Sequence, residues 1–129
     1  TDVVVMGPGS LYSPKLLELG GNSVNGLYTS AVFFPNDPRP EVQKFVKGFE
    51  AKYKATPNMF AGVAYDAINL MSETIRKVGT DRKAIRDELT RTKDFPGVTG
   101  RITFTERRDV IKDYRHLVVK DGHFTLYDK

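Results

Sequence analysis

A chain of 129 residues fits one domain with enough length to bury a core. Its hydrophobic fraction of 40% and charged fraction of 28% argue against intrinsic disorder, and no apolar run approaches the ~18 residues of a membrane span. The absence of cysteine removes disulfides and Cys-ligated metals. The net charge of +4 comes from 20 basic and 16 acidic residues mixed along the chain. Only Arg101, Arg107-Arg108 and Lys112 form a local basic cluster, too sparse for a nucleic-acid binder.

Val3-Val4-Val5-Met6, closed by Gly7-Pro8-Gly9-Ser10, reads as a strand buried on both faces, as in parallel sheets. The turn would lie at the carboxyl end of that strand, where ligands bind in open α/β sheets. Ser13 as N-cap and Pro14 as first helical residue predict a short helix to Leu19, ended by Gly20-Gly21. Gly26–Phe34 is rich in aromatic and β-branched residues and reads as a second strand. Three prolines in residues 35–40 stop it.

Glu41–Lys54 predicts a helix with Val42, Phe45, Val46, Phe49 and Tyr53 on one face. Thr56 or Asn58 caps the next, where Phe60, Val63, Ala64, Ala67, Ile68, Met71, Ile75 and Val78 fall at steps of three and four. That spacing predicts one broad apolar stripe buried against a large partner, with Gly79 ending the helix after Arg76 and Lys77. Thr80 or Asp81 caps a fourth helix, Arg82–Thr92. Lys93–Gly100 reads as a loop. Arg101–Thr105 and Tyr114–Lys120 read as strands, and Asp121-Gly122 as a hairpin turn pairing His123–Tyr127 back. The order is β-α-β-α-α-α-β-β-β, an α/β start with an antiparallel finish.

Catalytic chemistry finds little support. His116 and His123 fit no common metal-ligand spacing even with Asp113 or Asp121, and read as surface strand residues. Gly7-Pro8-Gly9 lacks the third glycine of a dinucleotide fingerprint, and Pro8 removes a phosphate-cradling N–H. Asp66 and the other carboxylates occur singly, and Asp66 reads as solvated or helix-capping. Tyr65 is either core or a cleft tyrosine, with core favoured. No catalytic residue, metal or cofactor is expected.

Six motifs occur in a recognisable order. A strand ending in Gly-Pro-Gly-Ser precedes a short helix and Gly-Gly-Asn-Ser-Val-Asn-Gly-Leu-Tyr. Then come Phe45-x-x-x-Phe49-x-x-x-Tyr53, Pro57-x-x-x-Ala61-x-x-x-Tyr65-Asp66-Ala67, Phe95-x-Gly97-x-x-Gly100-x-Ile102-x-Phe104, and Lys120-Asp121-Gly122-His123-Phe124. This order resembles the C-terminal third of the branched-chain amino acid (leucine/isoleucine/valine-binding) substrate-binding proteins of ABC transporters.

The resemblance implies an α/β, type I periplasmic-binding fold, in which two lobes joined by three crossing strands close on a small ligand. Residues 1–25 would belong to the second lobe, 26–34 to a crossing, 35–105 mainly to the first lobe, and 106–129 to returning strands. The implied function is solute binding and delivery to a membrane permease, the ligand a branched-chain amino acid or related small carboxylate or aromatic acid. A receptor or regulator domain of the same fold is the alternative.

The implied location is periplasmic, or extracellular and lipid-anchored, with any signal peptide outside these residues. Uncovered sheet edges would favour a homodimer or element-swapped dimer. The ligand contacts carried over are Gly9, Ser10 and Leu11 in the first turn and Phe60 at the helix start. Tyr65 belongs to the family signature, with packing as its expected role. Two departures stand out. Gly9 occupies a position where amino-acid-binding members often place an acidic residue for the ligand's ammonium. The usual Phe-Asp-x-x-Gly-Asp turn is Phe104-Thr105-Glu106-Arg107-Arg108-Asp109.

Overall fold

A computed structural model describes residues 3–127. Its regular elements in chain order are α1 (Pro14–Gly20), β1 (Tyr28–Ala31), α2 (Pro40–Tyr53), α3 (Met59–Val78), α4 (Arg82–Thr90), β2 (Phe95–Gly97), β3 (Gly100–Phe104), β4 (Val110–Ile111), β5 (Arg115–Lys120) and β6 (His123–Leu126). The chain divides into two compact units. Unit 1 takes the residues up to Val32 and those from Tyr114 on, and unit 2 is residues 33–113.

Unit 1 is built on an antiparallel sheet in the order β1-β5-β6. Thr29 and Ala31 are buried on β1, while Leu117, Val118 and Val119 are buried in succession on β5, so the central strand of the sheet is covered on both faces. Asp121 and Gly122 both take positive φ (49° and 74°) in the turn joining β5 to β6, the twist that a two-residue hairpin needs. Ser13 caps α1 as expected, its hydroxyl accepting from the Lys15 amide at 3.2 Å. Tyr12 meets Phe124 edge-on, ring centroids 4.9 Å apart.

The first predicted strand departs from expectation. Val3–Met6 runs parallel to β1, bridging Met6 to Tyr28. The Tyr28 amide donates to the Val5 carbonyl and the Gly7 amide to the Tyr28 carbonyl, both at 2.9 Å. Yet the run is not buried: Val3, Val4, Val5 and Met6 are all exposed. Four consecutive apolar residues encode cover on both faces, but the described residues supply only a neighbouring strand and no covering layer.

Unit 2 centres on Phe33, Val42, Phe45, Val46 and Val98, with Phe49, Met59 and Ala61 packed against them. The expected face of α2 therefore holds, except that Tyr53 is exposed. Local signals place the helix ends well. Asn58 accepts from the Ala61 amide at 3.0 Å, Asp81 from the Ala84 amide at 2.8 Å, and Gly79 ends α3 at φ 78°. Strands β2, β3 and β4 form a second antiparallel sheet. Strand β2 lies inside the stretch read as loop, paired Phe95 to Ile102 and Gly97 to Gly100.

The orientation of α3 reverses the sequence expectation. Its buried positions are Gly62, Asp66, Leu70 and Thr74, one row at steps of four. Most of the predicted stripe is exposed, including Phe60, Val63, Ala64, Ala67, Ile68 and Met71. Spacing identifies an apolar face but not whether anything in the chain covers it. The polar row turns inward because its polar atoms are satisfied there, Thr74 donating to the Leu70 carbonyl at 2.8 Å.

Gly62 marks the closest approach, since a Cβ there would lie 2.8 Å from the Phe33 ring. Gly62→Ala is therefore expected to destabilise unit 2 by about 1–3 kcal/mol in denaturant unfolding. Gly48→Ala in α2, where a Cβ meets nothing within 4 Å, should instead stabilise it by about 0.5–1 kcal/mol.

Burial pushes the Tyr12 phenol up from 10.0 to about 12. A raised folded-state value favours the neutral form, so its contribution is present below pH 10 and is lost as pH rises from 10 toward 12. Absorbance titration at 295 nm should show one of the six tyrosines ionising about two pH units later than a free phenol.

Candidate ligand-binding segments

In unit 1 the parallel segment delivers the chain into the turn Gly7–Leu11. Pro8 carbonyl accepts from the Leu11 amide at 2.9 Å and from the Thr29 hydroxyl at 2.8 Å, so the turn is tied to β1. Residues Gly9–Leu11 form a single 3-10 turn. A Cβ on Gly9 would sit 2.8 Å from the Ser30 carbonyl oxygen, so close backbone approach selects glycine here. Any longer side chain, a carboxylate included, would have to displace β1 or the turn. Ser10 is exposed and Leu11 half-buried.

Beside this turn lies a groove of about 590 Å³, lined by Met6, Gly7, Tyr28, Ser30, His116 and Tyr127 among others. Tyr28 and Tyr127 meet edge-on across 5.1 Å. His116 and His123 are exposed strand residues, and no cluster of three or more His, Cys, Asp or Glu able to hold a metal occurs among the described residues.

In unit 2 Phe60 stands in the first turn of α3 and is 75% exposed. Its ring is thus open for contact with something other than the described core. Tyr65 differs. Its ring lies 4.6 Å from Phe45, which in turn contacts Phe33 and Phe49 at 5.7 and 5.8 Å. Tyr65 extends an aromatic row along the α2–α3 contact while remaining 45% exposed. Phe45, Phe49, Tyr53 and Tyr65 line a groove of about 1020 Å³.

Asp66, read as solvated or capping, is instead buried and tightly held within unit 2. It is 2% exposed. One carboxylate oxygen accepts from the Val98 amide at 2.8 Å. The other accepts from the Thr99 amide at 2.8 Å and the Thr99 hydroxyl at 2.5 Å. Arg39 pins the same turn from outside, donating to the Val98 carbonyl at 3.1 Å. Gly97 must lack a side chain, because a Cβ there would lie 2.4 Å from the Asp66 carboxylate. The retrievable signal was Asp66 standing four residues from Gly62 and from Leu70.

The segment paired parallel to β1, the turn tied to that strand and the hairpin seated on a helix belong to a type I periplasmic-binding fold. The family model for periplasmic binding proteins matches residues 1–123, and the chain belongs to that family.

Among its relatives, the leucine-, isoleucine-, valine-, threonine- and alanine-binding protein of Pseudomonas aeruginosa is 26% identical over 98% of this chain and 31% of its own length. The leucine-binding protein LivK of Thermotoga maritima is 28% identical with a TM-score of 0.87, over 99% of this chain and 37% of its own. A solute-binding protein of a Rhodopseudomonas palustris ABC transporter, solved with benzoate, is 25% identical with a TM-score of 0.78 over 96% of this chain and 35% of its own. The chain thus spans about a third of the length of these relatives. No described helix is long and apolar enough to cross a membrane.

The Asp66 site predicts a stability effect. Asp66→Asn keeps the shape but replaces a full charge accepting two amides and a hydroxyl. It should lower unfolding stability by about 1.5–3 kcal/mol, measured by chemical denaturation.

Proposed function

We propose that these residues form part of the solute-binding protein of an ABC transporter, periplasmic or extracellular, which takes up a small ligand and hands it to a membrane permease. The observation that carries the reading is the turn Gly7–Leu11, set at the carboxyl end of a segment paired parallel to β1 and ending in an exposed Ser10. That is where ligands bind in open α/β sheets. In this reading Gly9, Ser10 and Leu11 present backbone and hydroxyl groups to the ligand. Phe60 supplies an apolar contact, and Tyr65 supports packing.

Residues 1–25 serve the second lobe, 26–34 a crossing, 35–105 mainly the first lobe, and 106–129 returning strands. Relatives about three times as long support a further role for the exposed stripe of α3 and for Val3–Met6, as faces that additional chain covers. Two copies of this chain associating would bury the same surfaces.

Within the ligand class, Gly9 favours small carboxylic acids without an α-ammonium group. Its turn offers no carboxylate to pair with an ammonium and no room to introduce one. The relative solved with benzoate supports this choice.

Calorimetric titration of leucine, valine and benzoate into the intact polypeptide that carries these residues tests the reading. Saturable heat with benzoate exceeding that with leucine is expected, and Phe60→Ala should weaken the binding about tenfold, or 1.4 kcal/mol. Tighter binding of leucine would overturn the ligand preference alone. No heat from any of the three would overturn the solute-binding reading.

A further inference from the structure

The chain enters unit 2 at Phe33 and leaves it after Asp113, and both points are held by one turn of α3. Phe33 is fully buried against Gly62, whose missing side chain makes room for its ring. Four residues further along the same row, Asp66 binds the Thr99 hydroxyl at 2.5 Å. That hydroxyl in turn accepts from the Lys112 ammonium at 2.5 Å. Thr99 is fully buried and has one hydroxyl hydrogen, which it gives to the carboxylate. Its lone pair is therefore oriented toward the ammonium.

Besides Lys112, the exit segment is held by backbone pairing and by a turn on Thr105. There the Thr105 amide donates to the Asp109 carbonyl and the Arg108 amide to the Thr105 carbonyl, both at 2.9 Å, and the Asp109 amide donates to the Thr105 hydroxyl at 3.1 Å. No side chain of the segment other than that of Lys112 reaches inward. Every residue from Glu106 to Tyr114 is exposed except Lys112. Strand β4 contributes two residues, paired Phe104 to Val110 and Thr103 to Ile111, and its side chains point away from any core. An apolar anchor would be the ordinary solution for such a segment. Here a lysine reaches inward, its stem partly buried and its ammonium placed on a relay that ends at a buried carboxylate.

We propose that Lys112 is a positioning residue which, through Thr99 and Asp66, fixes the place where the chain leaves unit 2, on the same turn of α3 that fixes its entry at Phe33. The charge pattern accords with this. Burial pushes the Lys112 ammonium below the usual lysine range, while the nearby Asp66 carboxylate acts in the opposite direction. The group is therefore partly desolvated, as an anchor must be and a solvated surface lysine is not. The inference concerns the ordering of the exit segment and stands independently of ligand binding.

Backbone amide order parameters from nuclear magnetic relaxation test it on the full chain without ligand. In the unaltered protein, residues 110–113 should show values near the rigid level of about 0.85. Lys112→Met keeps the aliphatic stem and removes the ammonium. It should drop these residues below about 0.6, the flexible range, while α3 stays unchanged. Thr99→Val removes the relay but leaves the lysine in place, so it carries the same expectation and keeps the test open if Lys112→Met does not fold. The double variant should be no looser in this segment than either single one, because both act on one path. Unchanged order parameters at 110–113 in the variants would overturn the proposal. So would loosening spread equally over α2 and α3, which would make Lys112 an undifferentiated part of the core.

Discussion

The interaction on which unit 2 depends is the burial of the Asp66 carboxylate. Removing such a charge from water costs several kcal/mol unless donors replace its hydration, and here three donors from two consecutive residues do so. The replacement fixes more than one side chain. It sets the Val98-Thr99 turn against α3, and the turn sets the register of β2 on β3. It also explains why Gly97 is glycine and why Val98 joins the apolar cluster. With Arg39 holding the Val98 carbonyl, the turn is bonded from both sides and the hairpin has one seat on the helix.

What could be read in the sequence was local chemistry. Ser13, Asn58, Asp81 and Gly79 bound their helices because a cap is decided within three or four residues. Asp121-Gly122 made its turn because both residues tolerate positive φ. What could not be read was cover. The stripe from Phe60 to Met71 and the run Val3–Met6 carry the composition of buried surface, and the pattern is sound. Whether a residue is buried, however, depends on what stands opposite, which periodicity does not encode. Strand β2 was missed for a related reason. Phe95-Pro96-Gly97 has weak strand propensity and is held extended by pairing with β3, in a hairpin whose turn at Val98 is fastened by a carboxylate 32 residues away in sequence.

The candidate site was partly legible. Gly9, Ser10 and Leu11 form one tied turn, as the Gly-Pro-Gly-Ser sequence suggested, and Phe60 is free for contact. Tyr65 was expected to serve packing; its ring lies tilted against Phe45 at 4.6 Å. The glycine at position 9 gains a physical cause in the approach of the Ser30 carbonyl. A steric requirement of the fold and a departure from the amino-acid-binding pattern therefore meet at one residue.

The measurement that reaches the centre of this account is hydrogen exchange at the Val98 and Thr99 amides. Both lie in a hairpin turn, where amides ordinarily exchange quickly, yet both donate to a carboxylate that is 2% exposed. The account predicts protection equal to that of the most slowly exchanging amides of α3, so that the turn opens only when unit 2 unfolds. Exchange of these two amides at the rate of solvent-exposed loops would contradict it, and Asp66 would then not be what holds the hairpin to the helix.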